Sequence, residues 1–373
     1  MLDQQEIYRY SRQILLPEIG LQGQEKLKAG RVLVVGAGGL GTPILSYLTG
    51  AGIGTIGIAE FDQVDISNLP RQFLYGTDDS GARKIDIAAA HLRKLNPTVL
   101  INIHDQYLNK SNILEIIQQY DLIIDGSDNL PTRYLVNDAC LLQHLPLVYG
   151  AIYKYEGQAG FFNLPLPDGS RSANYRDLFP VPPPPELVPS CSEGGVIGPL
   201  AGIIGSIMAG EAIKFFVGMG SLLQNQILLV DALDLSFRKI KLLPDPERSE
   251  IIELIDYEAF CNPEKSQLQK LPALTPVEAH QLMRQNKLAV IDVREPHEFN
   301  LANIGGINLP AGELMDHIAR IPRRTSVLVI CKSGARSMRA LEKLKNLGFD
   351  NAYTLNGGLN RWRIEIDPAL PDC

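Results

Sequence analysis

The sequence offers no paired cysteines from which to build a framework. Its five cysteines stand far apart, at positions 140, 191, 261, 331 and 373, and no CxxC pair occurs. So scattered and odd a set excludes both a disulfide-stapled scaffold and a four-thiolate zinc site. Long hydrophobic runs are wanting too. No apolar stretch is expected to approach the ~20 residues that cross a bilayer, so no membrane partner is expected. Basic clusters are absent, and a net charge of −7 argues against a nucleic-acid surface. The stretch Met1 to Tyr10 is polar and acidic and does not read as a signal peptide. A reducing cytoplasm is the expected home.

What is present fits a soluble globular chain of about two domains: 373 residues, 45% hydrophobic and 21% charged. Arg31-Val-Leu-Val-Val35 is short, valine-rich and apolar after its first residue, and reads as a buried parallel strand. It runs into Gly36-Ala-Gly38-Gly39-Leu-Gly41 and a helical pattern over 42–49. A second strand, 55–61, leads to Asp62. Strand, glycine turn, helix, strand and acid make the order of a nucleotide-binding βαβ unit. The glycines let the turn close and let backbone N–H groups approach a phosphate at a helix N-terminus. Asp62 is placed to accept hydrogen bonds from a ribose. Up to this point NAD is the default ligand.

The residues beyond Asp62 favour a triphosphate. Asn68, Arg71 and Gln72 follow in Ser67-Asn-Leu-Pro-Arg-Gln72, and Lys84 opens a helical stretch through Leu95. Two cations aimed at one nucleotide suit ATP better than a diphosphate. Asp121-Leu-Ile-Ile-Asp125 is another apolar strand, running into Gly126-Ser-Asp128-Asn129. A carboxylate at the carboxyl end of a parallel strand is well placed to hold Mg²⁺ on phosphate oxygens, which singles out Asp128 as the metal ligand.

The GAGGLG turn, the FDxVDxSNLxRQ segment, Lys84 and the DGSDN run together resemble the ATP-binding domain of the ubiquitin-activating superfamily. The likeness is greatest to the bacterial-type members that adenylate small sulfur-carrier proteins, of the molybdopterin-synthase adenylyltransferase/sulfurtransferase type. It implies an ATP·Mg²⁺ site built from Gly36, Gly38, Gly39, Gly41, Asp62, Asn68, Arg71, Gln72, Lys84, Asp128 and Asn129. It also implies that Arg12, in Tyr10-Ser-Arg12-Gln13, reaches the ATP of the opposite subunit of a homodimer. Taken alone, Arg12 reads as a solvated charge on a short polar helix.

Residues 163–190 are proline-dense, with four consecutive prolines at 182–185, and read as an extended, exposed loop. The loop ends at Ser190-Cys191-Ser-Glu-Gly-Gly195, ahead of a small-residue-rich helix over 196–216 that reads as core or dimer interface. A lone cysteine there has a poor prior as a nucleophile. Polar, glycine-rich neighbours and a nearby helix N-terminus raise it. The resemblance implies that Cys191 acts on the adenylate or on sulfur. Many relatives carry two CxxC pairs for zinc, where this chain has Ser172-Ala-Asn-Tyr-Arg176 and Asp256-Tyr-Glu-Ala-Phe-Cys261. No zinc is therefore expected, and Cys261 reads as a bystander. Cys140 reads as a buried small hydrophobe, while His91, His104 and His144 read as structural or surface residues.

After a polar, proline-punctuated stretch, Thr275-Pro276 caps a helix through Arg284. A strand over 288–291 ends at Asp292-Val-Arg294. Another, 326–330, ends at Cys331-Lys-Ser-Gly-Ala-Arg336 and a helix follows. Backbone N–H groups, the helix dipole and Arg336 would all favour a thiolate on Cys331. A phosphatase loop works by similar physics but places five residues between its cysteine and arginine; only four lie between Cys331 and Arg336. The tighter ring suits a single sulfur atom. DVR, Gly305-Gly-Ile-Asn-Leu-Pro310, CKSGAR and Leu355-Asn-Gly-Gly358 together resemble a rhodanese domain. Asp292 and Arg294 read as structural ties, Trp362 as packing and Cys373 as inert.

The expected architecture is α/β. A Rossmann-like, mostly parallel adenylyltransferase domain spans 1–248, a linker 249–273 and a rhodanese domain 274–373. The resemblances imply ATP-dependent adenylation of the C-terminal glycine of a diglycine-ended, ubiquitin-like sulfur carrier. Rhodanese-mediated sulfur transfer would follow, with a cysteine desulfurase or thiosulfate as donor. Catalysis would rest on Cys331, Cys191, Arg71, Lys84 and Arg336. The alternative is a NAD-dependent oxidoreductase with an accessory rhodanese domain, though no convincing catalytic His or Tyr/Lys pair is present.

Overall fold

The computed structural model describes residues 1–183, 195–261 and 271–371. Cys191 and Cys373 lie outside the described residues. The chain forms two compact units, Met1–Cys261 and Asn262–Cys373.

In the first unit the apolar runs form β1 (Arg31–Val35), β2 (Thr55–Ala59), β3 (Leu100–His104), β4 (Leu122–Asp125) and β5 (Leu147–Tyr153). Three more strands follow: β6 (Glu156–Phe162), β7 (Gln226–Asp231) and β8 (Ser236–Lys241). Their order across the sheet is β3-β2-β1-β4-β5-β6-β7-β8. Pairing is parallel from β3 to β5 and antiparallel from β5 to β8. β1, β2 and β4 alternate little in polarity because helices cover both faces of the sheet there, whereas β3 lies at its edge and is partly exposed. Val32, Val34, Ile56, Ile58 and Ile124 pack into one core cluster, while Leu33, Val35 and Ile123 pack into another. β2 ends two residues before the expected Phe61. The order of strands reverses between β1 and β4, and ligands bind at such a switch point.

Three expectations need correcting. The helix Gly198–Val217 is long and apolar enough to cross a bilayer by length and composition, with mean hydropathy 1.6 over 18 residues. Half of it is buried: it lies on β5, β6 and the helix Gly41–Ala51 as a core element of the sheet. Its small residues explain the fit, since a Cβ on Gly205 would strike Pro43 and the Leu40 carbonyl. Secondly, the proline-rich stretch is not wholly exposed. Asn163, Leu164 and Ser172 to Tyr175 are buried, and Asn174 caps a short helix, Tyr175–Leu178. Thirdly, the segment expected as linker contributes a helix, Tyr257–Cys261, packed on the helix Leu130–Leu142.

The second unit is a five-stranded parallel sheet: β9 (Ala273–Leu274), β10 (Leu288–Asp292), β11 (Ile307–Asn308), β12 (Ser326–Ile330) and β13 (Ala352–Leu355). Their order is β11-β10-β12-β13-β9. Thr275 and Glu278 form the capping box of the helix Pro276–Arg284, as the Thr-Pro signal predicts. Trp362 is buried beside Leu328, Ile330 and Leu359, which makes it a packing residue.

Candidate active sites

Each unit gathers polar groups at the carboxyl ends of its central strands. In the first unit the glycine loop closes because Gly36 takes φ +89°, open to glycine at little cost. A Cβ there would sit 3.1 Å from the Gly126 carbonyl, so the turn after β1 lies against the turn after β4. A Cβ on Gly41 would strike the Gly36 carbonyl, while Gly39 faces Arg71 and Gly38 faces Gln72. The predicted glycines, Arg71 and Gln72 therefore share one cleft with the Gly126–Asn129 turn.

Residues 62–64 pair antiparallel with 82–84 through Val64–Ala82 and Lys84–Asp62 backbone bonds, and this brings two distant predictions together. Lys84 is only 5% exposed at the first turn of the helix Lys84–Leu95, with Nζ 3.4 Å from Asp62 Oδ2. A buried ammonium at the positive end of a helix is held against desolvation and the dipole alike, so it needs anions nearby. Arg71 donates to the Ser67 carbonyl at 3.0 Å. Asn68 closes a capping box with Asp65, and the Asn129 side chain caps the helix Leu130–Leu142, so each orders the loop that carries it.

Asp128 is exposed at the same turn, three residues beyond buried Asp125. Burial pushes the Asp125 carboxyl up from its ordinary value, against the pull of Arg133. Among the described residues no three His, Cys, Asp or Glu side chains converge on one point. A single exposed carboxylate beside a phosphate loop suits Mg²⁺, which takes one or two carboxylates and completes its shell with phosphate and water. Three buried polar atoms around the cleft have no hydrogen-bond partner: Thr42 Oγ1, Gln72 Oε1 and Ser127 Oγ. Buried groups without partners call for a partner, and a bound polar ligand is one that would supply it. Thr42 and Ser127 are not singled out by the sequence, since neither is charged nor a glycine. Arg12 is exposed on the helix Ser11–Ile14.

The stretches 172–176 and 256–261, for which no zinc is expected, are joined by a polar network. Arg176 donates to both Asp138 oxygens, at 2.8 and 2.7 Å, and the Tyr257 hydroxyl donates to Asp138 Oδ2 at 2.8 Å. Arg248 pairs with Asp177. Cys261 is buried beside this network, its thiol pushed up to about 12 chiefly by burial. Cys140 is likewise buried with its thiol raised. His104 is tied to the Tyr120 hydroxyl at 2.6 Å.

In the second unit Cys331 follows the central strand β12 and is fully buried. Its Sγ accepts the N–H groups of Gly334 (3.1 Å) and Ser337 (3.3 Å) and lies 3.5 Å from Ser337 Oγ. Gly334 takes φ +101° to turn the loop into the helix Ala335–Asn346. Gly358 packs against the carbonyls of Cys331 and Lys332, where a Cβ has no room. The backbone donors are thus where the sequence places them. Arg336 differs: both its terminal nitrogens bind Glu298, at 2.6 and 2.7 Å, which holds that carboxyl down at about 2. Its charge is shared with Glu298 rather than given wholly to the sulfur. Asp292 and Arg294 form a fully buried pair that braces the turn after β10.

A cleft of glycine loop, lysine and carboxylate at a sheet's switch point, on one chain with a cysteine cradle, defines an adenylating enzyme joined to a sulfurtransferase. The ThiF family model matches residues 10–250 and the rhodanese-like domain model residues 275–365. The chain belongs to the ThiF family, with a rhodanese-like domain after it. Along nearly its whole length it is similar to the "Probable adenylyltransferase/sulfurtransferase MoeZ" of Mycobacterium tuberculosis. The two are 44% identical over 376 residues, 99% of this chain and 96% of the relative. The "Sulfur carrier protein adenylyltransferase" of Thermus thermophilus is 49% identical over 263 residues, 69% of this chain and 97% of that one. The crystal structure of E. coli MccB with ATP shares the fold, with TM-score 0.56 and 21% identity over 65% of this chain and 74% of that one. This protein is an adenylyltransferase and sulfurtransferase that uses ATP, and the oxidoreductase alternative falls away.

Proposed function

We propose that the first unit adenylates the C-terminal glycine of a small ubiquitin-like, diglycine-ended sulfur carrier, and that the second supplies the sulfur that converts the adenylate to a thiocarboxylate. The observation that carries this reading is the pairing, on one chain, of the triphosphate-type cleft with the Cys331 cradle. The carrier carboxylate attacks the α-phosphorus and pyrophosphate leaves. Arg71 and Lys84 neutralise charge as it shifts to the leaving group, with Arg12 supplied by a second copy in a homodimer. Mg²⁺ on Asp128 would add Lewis-acid stabilisation of the phosphate oxygens.

Cys331 takes sulfane sulfur from a donor such as a cysteine desulfurase persulfide or thiosulfate, with cysteine thiolate or sulfite leaving. The Gly334 and Ser337 N–H groups hold the resulting persulfide anion. Its terminal sulfur attacks the acyl carbon, AMP departs, and an acyl disulfide remains. A second thiol attacks the Cys331 sulfur of that bond, forming a disulfide with Cys331 and freeing the thiocarboxylate; the resemblance gives Cys191 a covalent part, as a transient acyl disulfide or thioester. Thiols of a reducing cytoplasm then restore both cysteines.

Labelled pyrophosphate exchange into ATP, run with candidate diglycine-ended carriers, tests the reading. Exchange that depends on one carrier, and is lost when its terminal glycine is removed, is the expected result. No exchange with any carrier of the molybdopterin, thiamine, cysteine or tRNA-thiolation type would overturn it.

A further inference from the structure

Two hydroxyls stand in series beside the Cys331 sulfur, and both belong to buried residues. Ser337, on the helix Ala335–Asn346, is fully buried, and Thr354, in β13, is 4% exposed. Ser337 Oγ lies 3.5 Å from Cys331 Sγ and 2.7 Å from Thr354 Oγ1, and it donates to the Gly334 carbonyl at 3.0 Å. Among the described residues Thr354 Oγ1 hydrogen-bonds with Ser337 alone. That gives the 2.7 Å bond its direction. A buried hydroxyl proton needs an acceptor, and for Thr354 the acceptor is the Ser337 oxygen. The Ser337 proton is left to choose between the Gly334 carbonyl and the sulfur.

We propose that Thr354 is a positioning residue for sulfur transfer: by holding the Ser337 oxygen, it makes the Ser337 O–H a donor that follows the charge on Cys331. When Cys331 is a thiol, its S–H donates to Ser337 Oγ and the Ser337 O–H stays on the Gly334 carbonyl. When the sulfur is an anion, the Ser337 O–H rotates onto it about the Cβ–Oγ bond. The rotation strands nothing, because the Gly334 carbonyl also accepts the Met338 N–H at 3.0 Å. Thr354 donates in both states, and hydrogen bonds in a chain strengthen one another. The sulfur anion then meets three donors: the N–H groups of Gly334 and Ser337 and the Ser337 hydroxyl. A fully buried anion is costly without such partners, and hydrogen bonds to a charged acceptor are the strong ones. The hold of Glu298 on Arg336 leaves more of that task to the hydroxyl.

Thr354→Val keeps the branched shape and removes the hydroxyl. Alkylation of Cys331 by iodoacetamide, followed in the full chain by mass spectrometry of the peptide that carries it, should need a pH higher by about 0.7 units, the worth of one hydrogen bond. The rate at the top of the pH profile should match that of the unmodified protein, which a distorted loop would not allow. Sulfur transfer from thiosulfate to cyanide at pH 7 should fall about fivefold in kcat/KM, the same factor. In that reaction the Cys331 thiolate takes the sulfane sulfur as sulfite leaves, and cyanide removes it as thiocyanate. No carrier takes part, so failure of the carrier reading leaves the test standing. Thr354→Ser, which restores a hydroxyl, should bring both values back. Ser337→Ala should shift the profile at least as far, and adding Thr354→Val to it should shift it no further.

A profile unmoved in Thr354→Val would overturn the proposal. So would an equal shift from Thr354→Val with and without the Ser337 hydroxyl, which would mean that Thr354 reaches the sulfur by another route.

Discussion

Arg336 shows how far residue types alone can lead and where they stop. CKSGAR predicts a cation beside the sulfur, and the cation is there, but Glu298, on the helix Pro296–Leu301, holds it. A partner 38 positions away is invisible in the motif. The same limit hides the partners of Glu60, whose carboxylate accepts the N–H groups of Ala37, Phe61 and Asp62. Asp62, Lys84 and the glycines are legible because steric and charge demands act locally. The Glu298–Arg336 pair also has a pH signature. The Glu298 carboxyl sits at about 2 when folded, below the ~4.3 of an unfolded glutamate, so its contribution is present above that higher value and is lost as pH falls toward the lower one. Melting curves of the whole chain and of Glu298→Gln should differ at pH 6, in the transition of the second unit. The gap should close between about pH 4 and pH 2. A gap that stays constant over that range would deny the pair any role in stability.

At the scale of elements, strand and helix types follow from periodicity, and the glycine and cap signals place most boundaries within two residues. The misses have a common cause. Residues 163–178 and 249–261 are rich in turn formers and charges, so they read as loop or linker, yet Asp138, Arg176 and Tyr257 tie them onto the helix Leu130–Leu142. Polar residues that satisfy one another at long range leave no period in a sequence. This network holds together the stretches 172–176 and 256–261. Asp138→Asn leaves the Arg176 guanidinium, 12% exposed, without its counter-charge, which should cost about 3 kcal/mol. Tyr257→Phe should cost about 1 kcal/mol, the value of one hydrogen bond. Urea titration monitored by circular dichroism measures both, and equal, negligible losses would show the network to be ornamental.

For the whole molecule, length foretells two domains, and the chain forms two compact units that divide between Cys261 and Asn262, inside the segment expected as linker. Activator and sulfur carrier-loader share a chain, so each works at a high effective concentration of the other. The prediction is made with intact chains. An equimolar mixture of Lys84→Ala, which keeps the cradle, and Cys331→Ala, which keeps the cleft, should regain thiocarboxylate formation. Its rate should fall more steeply on dilution than that of the unmodified protein. Identical dilution curves would show that linkage within one chain gives no advantage, and mass spectrometry of the carrier supplies the measurement.

The short strand β9 gives that connection a mechanical character. The chain enters the second unit at Ala273–Leu274, seated on the sheet's rim against Thr354 and Leu355. The Leu274 carbonyl also takes the Asn356 N–H at 2.9 Å. Three residues on, Leu359 donates to the Cys331 carbonyl at 3.0 Å. A pull on the incoming chain therefore travels along a load path of a few bonds that ends at the sulfur-bearing loop. The point where β9 joins the rim and the loop that holds the sulfur are thus a few hydrogen bonds apart on one sheet.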